Sequence, residues 1–296
     1  MLHKAKRNKS FLKIGLSGAS GNGKTYSALL LAYGMVKDWG KIAVIDTENG
    51  SSNLYSHLGD FNVLQLEAPY SPENYINAIK TCESASLEVI IIDSISHEWK
   101  GKGGCLEMHK NLGGRFQDWR VVTPKHQAFI DKILTSKCHI ITTVRRRMEY
   151  VLDVDDKGKR VVNKMGTKEE TRNGWEYELT INFEIINGQH LAKATKDRTG
   201  LFLNKPRFVI SSSTGEKLKH WWQDGLKLEE IYKEIETTTT IDGLKHLYGK
   251  YPAVQNGIIE GIMKRKSEIE ATKQQINSKR ELVQPENNQE NGSINK

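Results

Sequence analysis

The run Gly18-Ala19-Ser20-Gly21-Asn22-Gly23-Lys24-Thr25 constrains this chain more than any other stretch of its 296 residues. It fits G-x-x-x-x-G-K-[ST] throughout, and each fixed position has a mechanical reason. Glycines let the backbone wrap closely enough to aim several N–H groups at one anion. Lys24 adds a point charge, the Thr25 hydroxyl ligates a divalent cation, and a following helix turns its positive end toward the same anion. FLKIGLS (11–17) reads as a strand entering the motif, and Lys24 to Val36 as a helix with a buried-looking centre from Ala28 to Ala32. A strand, this turn and a buried helix together predict a triphosphate site with Mg²⁺, gripped by residues 18–25 and flanked by Tyr26.

Further strands are expected at KIAVID (41–46), FNVLQL (61–66), LEVIIID (87–93) and CHIITTV (138–144). Ser71-Pro72-Glu73 opens one intervening helix, with Ser71 as N-cap and Pro72 at the first helical position; Thr123-Pro124 repeats the signature for a helix to about Ser136. Continuous apolar strands separated by helices predict an α/β fold with a mostly parallel sheet flanked by helices. Past Arg145 the pattern changes. DVDDKGKR reads as a hairpin turn, WEYELTINFEII (175–186) as a strand, and Asn187-Gly188 as a two-residue turn into HLAKAT (190–195). From about Ser213 to 271 helical spacing returns, in Leu244, Leu247, Tyr248 and Tyr251 and then Val254, Ile258, Ile259, Ile262 and Met263. That region oligomerises the chain, binds a partner or caps the sheet. The basic residues 1–10 and the Gln/Asn/Glu/Lys-rich residues 272–296 read as tails, the latter disordered.

Two carboxylates stand where the sheet should deliver them beside the glycine turn. Asp93 ends the strand Val89 to Ile92, a position from which a carboxylate holds the hydration shell of a nucleotide-bound Mg²⁺. Glu48, just past the 41–46 strand in IDTEN, either activates a water as general base or, like Asp46, caps a short helix beginning near Ser51.

With these elements in order, residues 11–210 resemble the RecA-like recombinase core, and more narrowly the bacteriophage RecA-like ATPases of single-strand annealing and recombination. The segments that carry the resemblance are GASGNGKT, AVIDTENGSSNLYSHLG, VIIIDS and HIITTV. The resemblance implies a RecA-like P-loop core (11–212) using ATP and Mg²⁺, with Lys24, Asp93 and Glu48 catalytic. It also implies a mobile DNA-binding loop, here 149–172 within the basic segment 145–172, and two trans-acting cations, Lys196 and Arg198, that otherwise are plain surface charges. Single-stranded DNA is the implied partner of a homo-oligomer, ring or short filament, with a single-strand-binding protein as a further candidate partner. The rival readings are a helicase-like or packaging motor and a nucleotide switch with little turnover. Three features depart from the family: no helix and strand precede the first core strand, a helical insertion occupies 99–120, and Thr143 or Arg145 stands where the family senses the γ-phosphate with Gln.

A formal charge of +8 favours polyanions only where it is concentrated. Arg145, Arg146, Arg147, Lys157, Lys159, Arg160, Lys164, Lys168 and Arg172 outnumber Glu149, Asp153, Asp155, Asp156, Glu169 and Glu170 by three. That excess suits either a DNA-binding loop, flanked by Tyr150 and Trp175 for stacking, with Trp175 equally suited to the core, or a solvated charged hairpin. Cys82, Cys105 and Cys138 lie far apart, and His97, His109, His126 and His139 lack ligand spacing. Neither a disulfide framework nor a zinc site is expected, and a reducing interior suits the chain. No leader-type apolar run follows the basic start and none is long enough to cross a bilayer, so the expected location is the cytoplasm, with no membrane partner.

Overall fold

Strands whose every residue is buried need cover on both faces, and that requirement organises the molecule. The computed structural model describes residues 10–154, 160–186, 189–251 and 255–281; for 149–154, 160–165, 224–230, 255–257 and 276–281 it describes the backbone alone. The strands are β1 (Lys13–Gly18), β2 (Ile42–Asp46), β3 (Asn62–Gln65), β4 (Val89–Asp93), β5 (His139–Val154), β6 (Arg160–Glu169), β7 (Ile181–Ile185), β8 (Leu191–Asp197) and β9 (Phe208–Val209). Their order across the sheet is β3-β2-β4-β5-β1-β7-β8-β9, with β6 pairing β5 off this path. From β3 to β7 neighbours run parallel; β8 and β9 close the edge antiparallel. The expected α/β fold with a mostly parallel, helix-flanked sheet is present.

Alternation along the strands splits the core in two. Ile42, Val44, Val89 and Ile91 join one cluster with α1 (Lys24–Val36), while Ala43, Ile45, Ile90 and Ile92 join the other with α2 (Pro72–Ser84) and α5 (Trp119–Thr135). Each fully buried Ile or Val contributes about 1.5–3 kcal/mol, so the two clusters dominate the stabilisation of the core. The first cluster also takes in Leu218 of α7 (Ser212–Thr237). Here α7 crosses α1 backbone to backbone: a Cβ on Gly34 would lie 1.9 Å from the Ser212 carbonyl oxygen, and one on Gly215 2.1 Å from that of Leu31.

The chain divides into two units, Ser10–Trp222 and a second beginning at Gln223. The second unit has its own small core of Ile231, Ile235, Leu244, Leu247, Ile258 and Ile269, from α7, α8 (Ile241–Lys250) and α9 (Gln255–Glu281). Ile259 and Met263, expected on that apolar face, are instead 41% and 63% exposed. Among the described residues no helix is long and apolar enough to cross a membrane.

Four local expectations need correction. The helix expected to open at Thr123-Pro124 begins at Trp119, because the Asp118 carboxylate accepts the Arg115 N–H at 2.9 Å and closes a 3₁₀ turn that leads into it. Residues 175–186 are not one strand: Gly174 takes φ 95°, Trp175–Glu178 form a helical turn that carries Trp175 into the second core, and β7 starts only at Ile181. Residues 145–172 are not a loop but mostly a two-stranded antiparallel ribbon, with Arg146 opposite Glu169 and Val154 opposite Arg160. Residues 272–281, expected to be disordered, continue α9, whose Ile269 is anchored in the second core. The turns expected at 156–158 and 187–188 and the tails at 1–9 and 282–296 lie outside the described residues. The insertion at 99–120 is helical in pieces: the end of α3 (Ser96–Lys100), then α4 (Cys105–Asn111) and the Phe116–Asp118 turn.

At the opposite end of the strands from the glycine turn, His139 is packed edge-on against Phe11 and Trp222, and its Nδ1 accepts the Leu12 N–H at 3.0 Å. Burial, with Lys219 and Lys13 nearby, pushes the imidazole down to about 3. The folded state therefore favours the neutral ring, while the unfolded chain protonates it near its ordinary value. Stability present above about pH 6.5 is lost as pH falls toward 3. Between pH 7 and pH 4.5 the wild type should lose about 2 kcal/mol more than His139→Asn in urea unfolding; equal losses would show that the ring takes up its proton without cost.

Candidate functional site

The glycine turn leaves β1 at Gly18 and enters α1 at Lys24. Gly23 is left-handed at φ 81°, and a Cβ there would meet the His190 ring at 2.9 Å, so this position needs glycine on both counts. Asn22 ties the loop to β7 through its Nδ2 donating to the Ile185 carbonyl at 2.9 Å, and its own carbonyl meets His190 Nδ1 at 2.9 Å. No side chain caps the first turn of α1 and no acid lies in it. The first amides of a thirteen-residue helix therefore face the cleft without an internal partner, as an anion site requires.

Asp93 emerges from β4 beside this turn and is 1% exposed. Thr25 donates its hydroxyl to Oδ2 at 2.5 Å, and Thr143 of β5 donates to Oδ1. Burial raises the carboxyl above its ordinary value; the two hydroxyl bonds and Lys24 act against that shift, while Glu48 adds to it. Burial conversely lowers Lys24, with Asp93 and Glu48 opposing, and its Nζ folds back on the Ala19 carbonyl at 2.9 Å. A hydroxyl and a buried carboxylate offering only oxygen donors fit a hard cation such as Mg²⁺.

Glu48 owes its position to Asp46. The Asp46 carboxylate accepts from the amides of Glu48 (2.7 Å), Gly50 (3.3 Å) and Ser52 (2.8 Å) and from the Ser52 hydroxyl (2.6 Å). It thereby caps the 3₁₀ turn Ser51–Leu58, and Thr47 ties the end of β2 to β4 by its N–H to the Asp93 carbonyl at 2.8 Å. Of the two uses open to the acids in IDTEN, Asp46 takes the cap and leaves the Glu48 side chain to the cleft. There Arg145 holds it, with Nε at 2.9 Å and Nη2 at 2.8 Å from the same carboxylate oxygen.

One cleft of about 740 Å³ is lined by Ser20, Gly21, Gly23, Lys24, Thr25, Tyr26, Glu48, Asp93 and Arg145. Sequence reasoning missed its apolar wall, where Tyr26 tilts against Tyr55 at 5.9 Å beside Leu30, Leu54, Val209 and Ile210, and it missed His190. Tyr55 lies in the AVIDTENGSSNLYSHLG run; nothing in the sequence flags His190 or β9, which reach the cleft only through the sheet edge.

The remaining candidates scatter. Lys196 donates to the Glu176 carbonyl at 2.8 Å and to that of Tyr177, which Arg198 also meets at 2.9 Å, so both cations sit on the end of α6 (Trp175–Glu178), off the cleft lining. Arg145, expected on the DNA loop, belongs to the cleft because strand alternation turns it toward Glu48. Arg146, on the opposite face, is held between Glu169 (3.5 Å) and Glu184 (3.4 Å). Arg147 is 66% exposed, with Glu170 at 3.6 Å. Lys168 and Arg172 join Arg147 around a second cleft, with Trp99, Phe116 and Trp119. Trp175 is only 4% exposed and not available for stacking. Lys157 and Lys159 lie outside the described residues, as do the side chains of Tyr150, Arg160 and Lys164.

A family model described as an AAA domain matches residues 10–209, well over half of the chain. No curated protein matches the chain.

Replacing Asp46 by Ala strands three buried or part-buried amides that now share one carboxylate. Asp46→Ala should cost about 2–4 kcal/mol in urea unfolding and speed amide exchange at Glu48, Gly50 and Ser52. Unchanged exchange there would mean that the loop holds Glu48 without this cap.

Proposed function

The chain belongs to the AAA-domain family of P-loop ATPases, and from that premise we propose that it is a RecA-like, Mg²⁺-dependent ATPase acting on single-stranded DNA in phage recombination, annealing or replication. The observation that carries the reading is the single cleft that gathers the turn at 18–25 with Glu48, Asp93 and Arg145. The amides of the turn and Lys24 hold the phosphates, and the Tyr26–Tyr55 wall takes the base. Thr25 and Asp93 hold Mg²⁺, which when bound neutralises charge on the phosphate oxygens. Glu48 orients a water and accepts its proton.

The support for DNA coupling is β5 itself. Residues two apart on a strand share a face. Thr143 bonds Asp93, Arg145 pairs with Glu48, and Arg147 stands exposed where the strand becomes the ribbon. DNA phosphates engaging Arg147, Lys168 and Arg172 pull on the strand whose next residue inward restrains the base, so ligand on the ribbon alters the freedom of Glu48. Lys196 and Arg198 act, on this reading, across a subunit boundary of a homo-oligomer. One observation favours a second reading: Glu48 is already ion-paired, as suits a nucleotide switch with little turnover.

ATP turnover with and without single-stranded DNA separates the two. The wild type should be stimulated by DNA at low salt, with affinity falling at a log–log slope of about −0.7 per phosphate neutralised. Glu48→Gln should lose on the order of 10²-fold or more in turnover while still binding ATP. Arg145→Ala should raise turnover without DNA and blunt the stimulation. DNA-independent turnover in the wild type would reject the single-strand role, and normal turnover by Glu48→Gln would reject the base.

A further inference from the structure

Three metal-ligating side chains meet in the core of the Ser10–Trp222 unit, away from the nucleotide cleft. Glu98 of α3, Cys105 at the start of α4 and His126 of α5 are 1%, 0% and 5% exposed. Their ligand atoms lie within 4.8 Å of one another: Cys105 Sγ is 3.0 Å from Glu98 Oε1, and His126 Nδ1 is 2.9 Å from the same oxygen. We propose that Glu98, Cys105 and His126 form a site for a borderline-soft divalent cation of the zinc type.

The donor set supports this choice. One thiolate, one imidazole nitrogen and one carboxylate oxygen suit zinc, whereas Mg²⁺ and Ca²⁺ prefer oxygen alone. Bond lengths of about 2.0–2.3 Å around a tetrahedral ion separate ligand atoms by about 3.3–3.7 Å. The two separations from Glu98 Oε1, 3.0 Å to sulfur and 2.9 Å to nitrogen, need about half an ångström of expansion or less to admit the ion. Three protein ligands leave the fourth position to water. Charge is consistent with the same assignment: a carboxylate withdrawn from water needs a positive partner, and among the described residues the hydrogen-bond partners of the Glu98 carboxylate are the Cys105 thiol and the His126 imidazole, which carries charge only when protonated. Aromatic neighbours orient the imidazole. Trp99 lies edge-on to His126 at 5.4 Å and stacks on Trp119 at 5.7 Å.

Spacing arguments miss such a site because its ligands come from three helices, 7 and 28 residues away from Glu98. Its place in the chain gives it a use: α3 starts three residues beyond Asp93, so an ion here ties the whole 99–120 insertion to the strand that carries Asp93. The site is independent of the ATPase reading.

The test is cobalt substitution of the full chain after chelator treatment and desalting. One equivalent of Co²⁺ should give a thiolate-to-cobalt charge-transfer band with the intense visible bands of tetrahedral coordination, and Zn²⁺ should displace it and raise the melting midpoint. Cys105→Ser should lose the charge-transfer band while Cys138→Ser keeps it. The cation site at Thr25 and Asp93 contains no sulfur and cannot supply that band. Should Cys105→Ser fold poorly, His126→Gln serves, by weakening Zn²⁺ retention at least tenfold in metal analysis. Absence of the band in the wild type, its survival in Cys105→Ser, or a melting midpoint indifferent to Zn²⁺ would each reduce the cluster to a hydrogen-bonded triad and overturn the proposal.

Discussion

A carboxylate withdrawn from water at the end of β4 is the constraint around which the cleft is built. Asp93 is 1% exposed, and burial alone drives it toward the neutral form. Thr25 and Thr143 each donate a hydroxyl to it, and the charge of Lys24 favours its ionised form. Two hydroxyl bonds and one withdrawn ammonium compensate an anion only in part, so the site is electrostatically prepared for a further cation. On the proposed function, a metal cation answers that deficit, and Glu48 adds to it.

The same geometry explains why a sheet is the right device. Parallel pairing aligns Asp46 with Asp93 across β2 and β4, and Gly18 with Arg145 across β1 and β5. The glycine turn, both acids and the arginine therefore leave the sheet at one edge, the edge at which open parallel sheets receive ligands. Rigid strands hold these groups, whereas Glu48 sits on a loop whose conformation Asp46 dictates. On the proposed function this division matters: the phosphate grip is preorganised, and the base alone is restrained by a pair that can open.

Much of this was legible in the sequence because it is local. The turn at 18–25, the apolar runs ending in Asp46 and Asp93, and the Ser71-Pro72 helix start each declare themselves within a few residues, and the structure has all of them. What was not legible is set by distant partners. Arg145 reads as one of three like cations until β5 is seen to turn it toward Glu48 and Arg146 away. Trp175 reads as part of an alternating strand until the left-handed Gly174 folds it inward. Pro124 reads as a helix start because the capping of Asp118 depends on a turn with no strong signature. Glu98, Cys105 and His126 read as unrelated residues because only tertiary packing joins three helices.

The central claim is that Asp93 and Thr25 complete a cation-assisted triphosphate site with the turn at 18–25. Titration calorimetry with ATP, in the presence and absence of Mg²⁺, tests it most directly in the wild type and Asp93→Asn. The account predicts that Mg²⁺ strengthens ATP binding to the wild type at least tenfold and leaves binding to Asp93→Asn nearly unchanged. Equal enhancement in both proteins, or no ATP binding by a folded wild type, would contradict it.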